Sequence, residues 1–145
     1  MYQGLLHLHS TFRWIILLLL VTVIVQALLK KEGIQKTSLF LLIASHLTLL
    51  IGLYQYFTGN LGFNLIVQAE SFGGVMKNSV SRFWAVEHIT AMLLAIVLIT
   101  IARRSAKNLI YKKAFLLYVI ALLLILAAVP WPFREEVSRP WFPGM

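Results

Sequence analysis

Residues 5–29, LLHLHSTFRWIILLLLVTVIVQALL, form an almost unbroken apolar run. About 20 apolar residues are enough for a helix to cross the hydrocarbon core of a bilayer, and this run is longer. It carries His9 and Arg13, which are costly at membrane depth and therefore indicate a functional site. No Lys or Arg precedes Arg13 and no small-residue cleavage site follows the run, so we expect a retained transmembrane helix rather than a secretory signal.

Three further segments have similar length and apolar character, and they predict three more membrane-spanning helices. They cover residues 37–59, 83–102 and 114–133. With 60% hydrophobic residues and a mean hydropathy of +0.85, the chain is too apolar for a soluble domain of its size. Short connections favour antiparallel neighbours. We therefore predict an all-α integral membrane protein, a single domain over residues 1–145 folded as a four-helix up-down bundle with an outer loop at residues 60–82.

The excess positive charge lies at the helix ends. Thirteen Lys and Arg residues against five acidic residues give a formal net charge of +8. The first and third connections are the basic ones, with Lys30, Lys31, Lys36, Arg103, Arg104, Lys107, Lys112 and Lys113. Because short basic loops stay in the cytoplasm, we expect a multi-pass protein of the bacterial inner membrane with both termini on the outer, periplasmic side. The basic loops suit contact with anionic lipid of the bilayer, and no nucleic-acid partner is expected.

The composition excludes several kinds of chemistry. The chain has no cysteine, which rules out disulfides, thiolate metal sites, iron–sulfur clusters and covalently attached haem. Phosphate-binding, dinucleotide-binding, zinc-protease and nucleophile-elbow motifs are missing from the sequence. Aspartate is absent, and Glu87 is the one glutamate inside a predicted helix. Hydrolysis is therefore not expected.

Three of the four histidines, His9, His46 and His88, lie on three different predicted helices. Helical periodicity puts His9 on one face with Arg13 and puts His7 on nearly the opposite face. His88 lies on a stripe of small residues, which lets a helix or a flat cofactor come close. At 1.5 Å per residue, His88 and His9 lie roughly 6 and 10 Å below the outer aromatic belt, and His46 lies roughly 15 Å below it. His9 and His88 are therefore the best-matched pair for binding haem iron from both sides, with His46 as an alternative ligand or a polar contact.

Arg13 and Glu87 need partners of their own, because unpaired charges at this depth are unfavourable. The Arg13 guanidinium suits a carboxylate, either a haem propionate or the side chain of Glu87. Glu87 is turned about 100° away from His88 on the helix, where it suits orienting a histidine, passing protons or contacting a quinone headgroup. The predicted cofactor-binding set is therefore His9, His46, His88, Arg13 and Glu87, with the three histidines as metal ligands.

Four short runs resemble small four-helix bacterial membrane proteins labelled cytochrome b-like. They are HLHSTFRW at 7–14, HLTLLIGL at 46–53, VEH at 86–88 and VPWPF at 129–133. The resemblance spans nearly the whole chain. It implies a membrane-embedded haem b and a role as an electron-transfer protein or as a quinol-linked oxidoreductase subunit. Four-helix di-haem cytochromes have a histidine on the fourth helix, which this chain lacks, so one haem is expected, with two not excluded.

Two other interpretations stay open at this stage. A non-haem metal site or a proton-coupled site would use the same histidines. A non-catalytic accessory subunit of a larger respiratory or transport complex would use the polar cluster to seal an interface with other membrane subunits.

Overall fold

A computed structural model describes residues 2–142 of the 145-residue chain. The regular structure of these residues is entirely helical. In chain order the helices are α1 (Tyr2–Leu28), α2 (Ile34–Thr58), α3 (Phe63–Gln68), α4 (Phe72–Lys77), α5 (Ser79–Arg82), α6 (His88–Lys107) and α7 (Tyr111–Ala128), with a π-helical turn (Phe83–Glu87) between α5 and α6. Four of the helical segments, which contain α1, α2, α6 and α7, are long and apolar enough to cross a membrane. The chain is therefore an all-α protein of the multi-pass membrane class.

The outward surface of the long helices is apolar. Leu18 on α1, Leu50 on α2 and Leu123 on α7 are 69%, 64% and 60% exposed. Ser38 and Ser45, by contrast, are 0% and 1% exposed in the interior. Large apolar side chains on the outside, together with serines in the interior, are typical of a bundle surrounded by lipid.

The four long helices pack in a ring. Helix α1 contacts α2 and α7, and α6 contacts the same two helices. Helices α1 and α6 therefore lie diagonally across the bundle. Leu20, Leu41, Ile99 and Tyr118, one from each long helix, fill the interior and are each 0% exposed.

Alanines line the inward face of α6. Ala95, Ala102 and Ala106 are 0% exposed, and their spacing places them on one side of the helix. Small residues on this side let the backbones of neighbouring helices approach closely. The sequence predicts this stripe through Ala91, Ala95 and Ala102, and the structure buries the last two of these completely.

Helix α7 ends at Ala128 rather than at the predicted residue 133. Val129 is extended, with φ −69° and ψ 133°, because the ring of a following proline disfavours the helical conformation. At its other end α7 begins at Tyr111 rather than at residue 114, since the Ile110 carbonyl accepts the Ala114 N–H at 3.1 Å and extends the first turn.

Residues 129–142, which we name the strap, follow α7. They fold back over the end of the bundle at which α7 ends. Strap side chains provide donors for the terminal carbonyls of that helix. The Trp131 indole N–H donates to the Leu126 carbonyl at 2.8 Å, and Arg134 donates to the Ala127 carbonyl at 3.0 Å. The last carbonyls of a helix have no partner within it, and these side chains supply their donors.

The connection over residues 60–82 contains the three short helices α3, α4 and α5. Gly62, immediately before α3, has φ +77°, in the left-handed region that favours glycine. A Cβ atom at this position would lie 2.5 Å from Cδ2 of Tyr56. The turn into α3 therefore requires glycine for both conformation and space.

The two ends of the bundle differ in chemical character. The basic end is formed by connections 29–33 and 108–110, where the Gln35 side chain donates to the Lys107 carbonyl at 2.7 Å. The aromatic end is the opposite one, defined by Trp14, Trp84, Trp131 and Trp141.

Ala102→Leu tests the close packing of α6. We expect the free energy of unfolding to fall by about 1–3 kcal/mol, because a larger side chain at a fully buried position forces its neighbours apart. Ala127→Leu, at an exposed position on α7, is the matched control and should leave the thermal unfolding midpoint unchanged. Thermal unfolding in detergent micelles, followed by circular dichroism, measures both variants. An equal effect of the two substitutions would contradict the packing described here.

Candidate functional site

Two histidine side chains meet near the aromatic end of the bundle. The ring centroids of His9 on α1 and His88 on α6 are 6.5 Å apart, with the ring planes inclined at 61°. His9 faces inward because it shares a face of α1 with Ile16 and Leu20, which are 7% and 0% exposed. The two rings meet across the diagonal of the bundle. They are the pair that helix periodicity and depth select from the sequence as candidate ligands.

The end of α7 holds the His88 ring in place. Nδ1 of His88 lies 2.8 Å from the carbonyl oxygen of Ala128. Because a carbonyl only accepts, Nδ1 carries the proton and Nε2 keeps a lone pair. The Ala128 carbonyl has no helical partner because α7 stops before Pro130. The same hydrogen bond orients histidine ligands in metal sites.

His9 lies against the backbone of α2. A Cβ atom on Gly52 would lie 3.1 Å from Cε1 of His9 and 3.7 Å from its Nδ1. The Thr48 carbonyl lies beside the ring, yet the buried Nδ1 makes no hydrogen bond to any described residue. Since Nδ1 is on the α2 side of the ring, Nε2 is the nitrogen further from α2.

A π-helical turn immediately precedes His88. The N–H of His88 donates to the Phe83 carbonyl, and the hydroxyl of Tyr56 on α2 donates to the Ala85 carbonyl at 2.8 Å. The turn places the Phe83 and Trp84 rings each 5.9 Å from the His88 ring. Turns of this kind occur often at functional sites, because the extra residue changes the direction of the side chains that follow.

Arg13 anchors the strap to α1. Its guanidinium donates to the carbonyl oxygens of Pro140 and Trp141, at 3.2 and 2.7 Å. The same group lies 5.3 Å from the Trp14 ring and 5.9 Å from the Trp131 ring, within the range of cation–π attraction. Nε of Arg13 is buried and has no hydrogen-bond partner among the residues described. The buried Nε–H of Arg13 is therefore available as a donor to a ligand.

Trp14 reinforces the contact between α1 and the strap. Its indole N–H donates to the Trp141 carbonyl at 2.8 Å, and its ring stacks on those of Trp141 and Phe142 at 6.1 and 5.7 Å. Arg139, also in the strap, lies 5.1 Å from the Trp84 ring. The strap is therefore fixed both to α1 and to the turn that precedes His88.

Glu87 lies at the rim of the site and pairs with Arg82. The two charged groups are 2.6 Å apart, with side chains 36% exposed for Arg82 and 46% for Glu87. Exposed pairs of this kind contribute little to stability. The ion pair between Arg13 and Glu87 that the sequence allows is not formed, because Arg13 bonds to strap carbonyls instead.

The other two histidines lie away from the pair. His46 is exposed on the side of α2 that faces away from the bundle, and its Nδ1 lies 2.8 Å from the Leu42 carbonyl of the preceding turn. His7 is exposed as well. Within residues 2–142, no group of three or more His, Cys, Asp or Glu side chains is arranged to hold a metal ion. A metal at the His9–His88 pair would therefore have two protein ligands and would need a non-protein ligand to complete its coordination.

Three contacts of the site were not identified from the sequence. One is the packing of His9 on Gly52, although the sequence places Gly52 on the small-residue face of α2. The other two are the bond from His88 to the Ala128 carbonyl and the bonds from Arg13 to the strap. These join residues 40 and 127 positions apart through backbone atoms, so residue types give no signal for them.

Comparisons with protein-family models, with curated proteins and with solved structures find no match to this chain.

Arg13→Ala tests the attachment of the strap. We expect the amides of Val137 and Arg139 to exchange at least about tenfold faster, because losing hydrogen bonds from a charged donor lowers the free energy of local opening by about 1.5–3 kcal/mol. Hydrogen–deuterium exchange followed by mass spectrometry in micelles measures this. Arg104→Ala, at the basic end, is the control and should leave strap exchange unchanged. Unaltered protection in the Arg13 variant would mean that aromatic stacking alone holds the strap.

Proposed function

We propose that this protein is a membrane-embedded b-type cytochrome that transfers electrons, with His9 and His88 as the axial ligands of one haem b. The observation that carries the proposal is the approach of two imidazoles from diagonal helices to a centroid separation of 6.5 Å. Polar rings at membrane depth are unfavourable unless they bind something, so their convergence requires an explanation.

The separation of the rings suits one metal ion between them. The ring centroids are 6.5 Å apart, and each imidazole would contribute one ring nitrogen to the same ion. Since only two protein side chains converge, the other ligands must come from the cofactor. A porphyrin provides them, and iron porphyrins with two protein ligands are electron carriers.

The hydrogen bonds of the two rings also fit metal binding. The bond from Nδ1 of His88 to the Ala128 carbonyl fixes the tautomer and leaves Nε2 as the ligand atom. A small rotation of His9 would let its orphaned Nδ1 donate to the Thr48 carbonyl in the same way. Each ligand would then be oriented by a backbone carbonyl from a helix beside it.

Several residues that flank the pair have small side chains. Gly52 on α2 and Ala128 on α7 flank the two rings, and Ala91 follows His88 on the inward face of α6. Small side chains reduce the volume that a planar ligand must displace. The free Nε donor of Arg13 suits a propionate carboxylate at the aromatic end.

Haem, when bound, supplies a reversible one-electron couple. The chain controls the surroundings of that couple. The apolar interior disfavours added charge, and the His88–Ala128 hydrogen bond raises the basicity of the ligand. The strap, fixed by Arg13 and Trp14, limits the access of water from the aromatic end.

The proposed orientation follows from charge. Eight of the thirteen Lys and Arg residues lie at the basic end, with Glu32 as the one acidic residue there. Basic loops are retained in the cytoplasm, so the aromatic end would face the periplasm of a bacterial inner membrane. An up-down bundle then puts both termini and the haem ligands on the periplasmic side.

A quinol is the proposed electron donor, because it dissolves in the lipid around the bundle. Glu87, which precedes His88 and is exposed at the rim, is placed to accept a proton from a quinol hydroxyl. The rival function is that of a non-catalytic subunit in a larger respiratory or transport complex. A coloured or a colourless purified protein distinguishes the two.

His9→Ala and His88→Ala test the ligand assignment. The wild-type protein, purified from cells that make haem, should be red and show a sharp visible band on reduction. Each of these substitutions should abolish the band, because one imidazole cannot hold the iron in a six-coordinate low-spin state. Reduced-minus-oxidised spectra and a pyridine haemochrome assay measure the loss.

His7→Ala and His46→Ala are the matched controls and should retain the band, since both side chains are exposed. If the wild-type protein is colourless, or if all four variants keep the colour, the haem assignment is wrong.

Gly52→Leu tests the space beside His9. A Cβ atom added at this position would lie 3.1 Å from Cε1 of His9. A leucine should therefore displace the ring and lower the haem-to-protein ratio at least about tenfold. Gly4→Leu is the control, because a Cβ there meets nothing within 4 Å. Far-ultraviolet circular dichroism should show equal helix content for both. Full haem occupancy in the Gly52 variant would contradict the proposed position of the cofactor.

A further inference from the structure

A second polar cluster lies in the interior towards the basic end. Tyr118 on α7 is 0% exposed, yet its hydroxyl makes no hydrogen bond to any described residue. Side chains of a helix tilt towards its N-terminus, and α7 begins at the basic end, so the phenol oxygen is directed towards that end. A buried hydroxyl without a partner is unfavourable, and Ser38 is the one uncharged polar side chain beside it in the described part of the chain, so this group is a candidate donor to a ligand.

Arg103 on α6 belongs to the same cluster. Its guanidinium lies near the Tyr118 phenol, and its Nη1 is buried without a hydrogen-bond partner among the described residues. In the part of the chain that the structure describes, no carboxylate forms an ion pair with Arg103. The Arg103 side chain is half-buried, so this member of the cluster is partly accessible from the surface of the bundle.

Ser38 on α2 completes the cluster. It is 0% exposed and lies beside the Tyr118 phenol, while its hydroxyl donates to the Gln35 carbonyl at 3.2 Å. Three helices thus contribute a phenol, a guanidinium and a hydroxyl. The first two are donors that lack an acceptor.

The surroundings favour a ligand that brings negative charge. Glu32, the one acidic residue at the basic end, is exposed in the connection between α1 and α2. The neighbouring charged residues on α6 and α7 are all positive: Arg104, Lys107, Lys112 and Lys113. A water molecule would satisfy a donor, but an anion also stabilises the positive charge.

We propose that Tyr118, Arg103 and Ser38 form a binding site for a phosphate group, carried by an anionic phospholipid of the adjoining leaflet or by free phosphate. The guanidinium fork matches phosphate oxygens, and the phenol adds a third donor. Basic residues at the membrane surface draw anionic headgroups to the same side. The site is at the opposite end of the bundle from the His9–His88 pair and does not depend on haem.

The full-length protein, purified in a neutral detergent and stripped of lipid, tests the site. Its thermal unfolding midpoint is measured with phosphatidylglycerol, with phosphate-free diacylglycerol and with inorganic phosphate. We expect phosphatidylglycerol to raise the midpoint and diacylglycerol to have no effect. Arg103→Gln and Tyr118→Phe should weaken the apparent affinity about tenfold, the effect of one lost charge-assisted hydrogen bond. Arg104→Gln and Tyr54→Phe, at exposed positions, should keep the wild-type affinity.

The lipid-free midpoint of the Tyr118→Phe variant is a second measurement. The substitution removes only the unpaired oxygen and keeps the ring, so the fold is retained. Without ligand we expect its midpoint to equal or exceed that of the wild type, because a buried unpaired hydroxyl is lost. A lower midpoint would mean that the hydroxyl already has a partner, such as a bound water, and would overturn the proposal.

The remaining outcomes are also decisive. A response to inorganic phosphate that both site variants abolish supports the site and identifies a free anion as its ligand. A response to phosphatidylglycerol that both site variants retain overturns the proposal. No response to either source of phosphate, or an equal response to diacylglycerol, overturns it as well.

Discussion

The carbonyl groups in the last turn of α7 impose the constraint on which the aromatic end depends. No later residue of α7 pairs with them, so their donors must come from other segments or from water. Pro130 stops the helix and frees these groups, and Trp131 and Arg134 supply donors from the strap. His88 supplies the donor for Ala128. A single requirement of the backbone therefore determines both the path of the strap and the orientation of one ring of the candidate site.

The four long helices and their inward faces could be predicted because both depend on local pattern. The length of each apolar run indicates a membrane span, and a period of 100° per residue separates inward Leu20 from outward Leu18. The convergence of His9 and His88 follows from the same geometry, since it requires only the face and the depth of each residue. His46 shows the limit of this reasoning. Its position at the edge of a face of α2 left its direction ambiguous, and its side chain is exposed on the surface of the bundle.

The strap and its contacts could not be predicted from the sequence. Arg13 was expected to bind a carboxylate, and it binds the carbonyls of Pro140 and Trp141 instead. Every residue has a carbonyl, so residue types do not show which one a distant guanidinium will bind. The π-helical turn was missed for a similar reason, because the Tyr56 hydroxyl that bonds to its backbone lies on another helix.

The contact between Arg13 and the strap has a consequence for biogenesis. The ribosome delivers α1 to the membrane long before residues 140–141 are synthesised, so this contact forms only after all four long helices have been inserted. Until then the strap is not attached to α1, the helix that carries His9. Under the proposed function, a cofactor would enter before this contact forms, and closure of the strap would end that period. Retention in the mature protein would then be a matter of kinetics, governed by how often the strap opens rather than by equilibrium affinity alone.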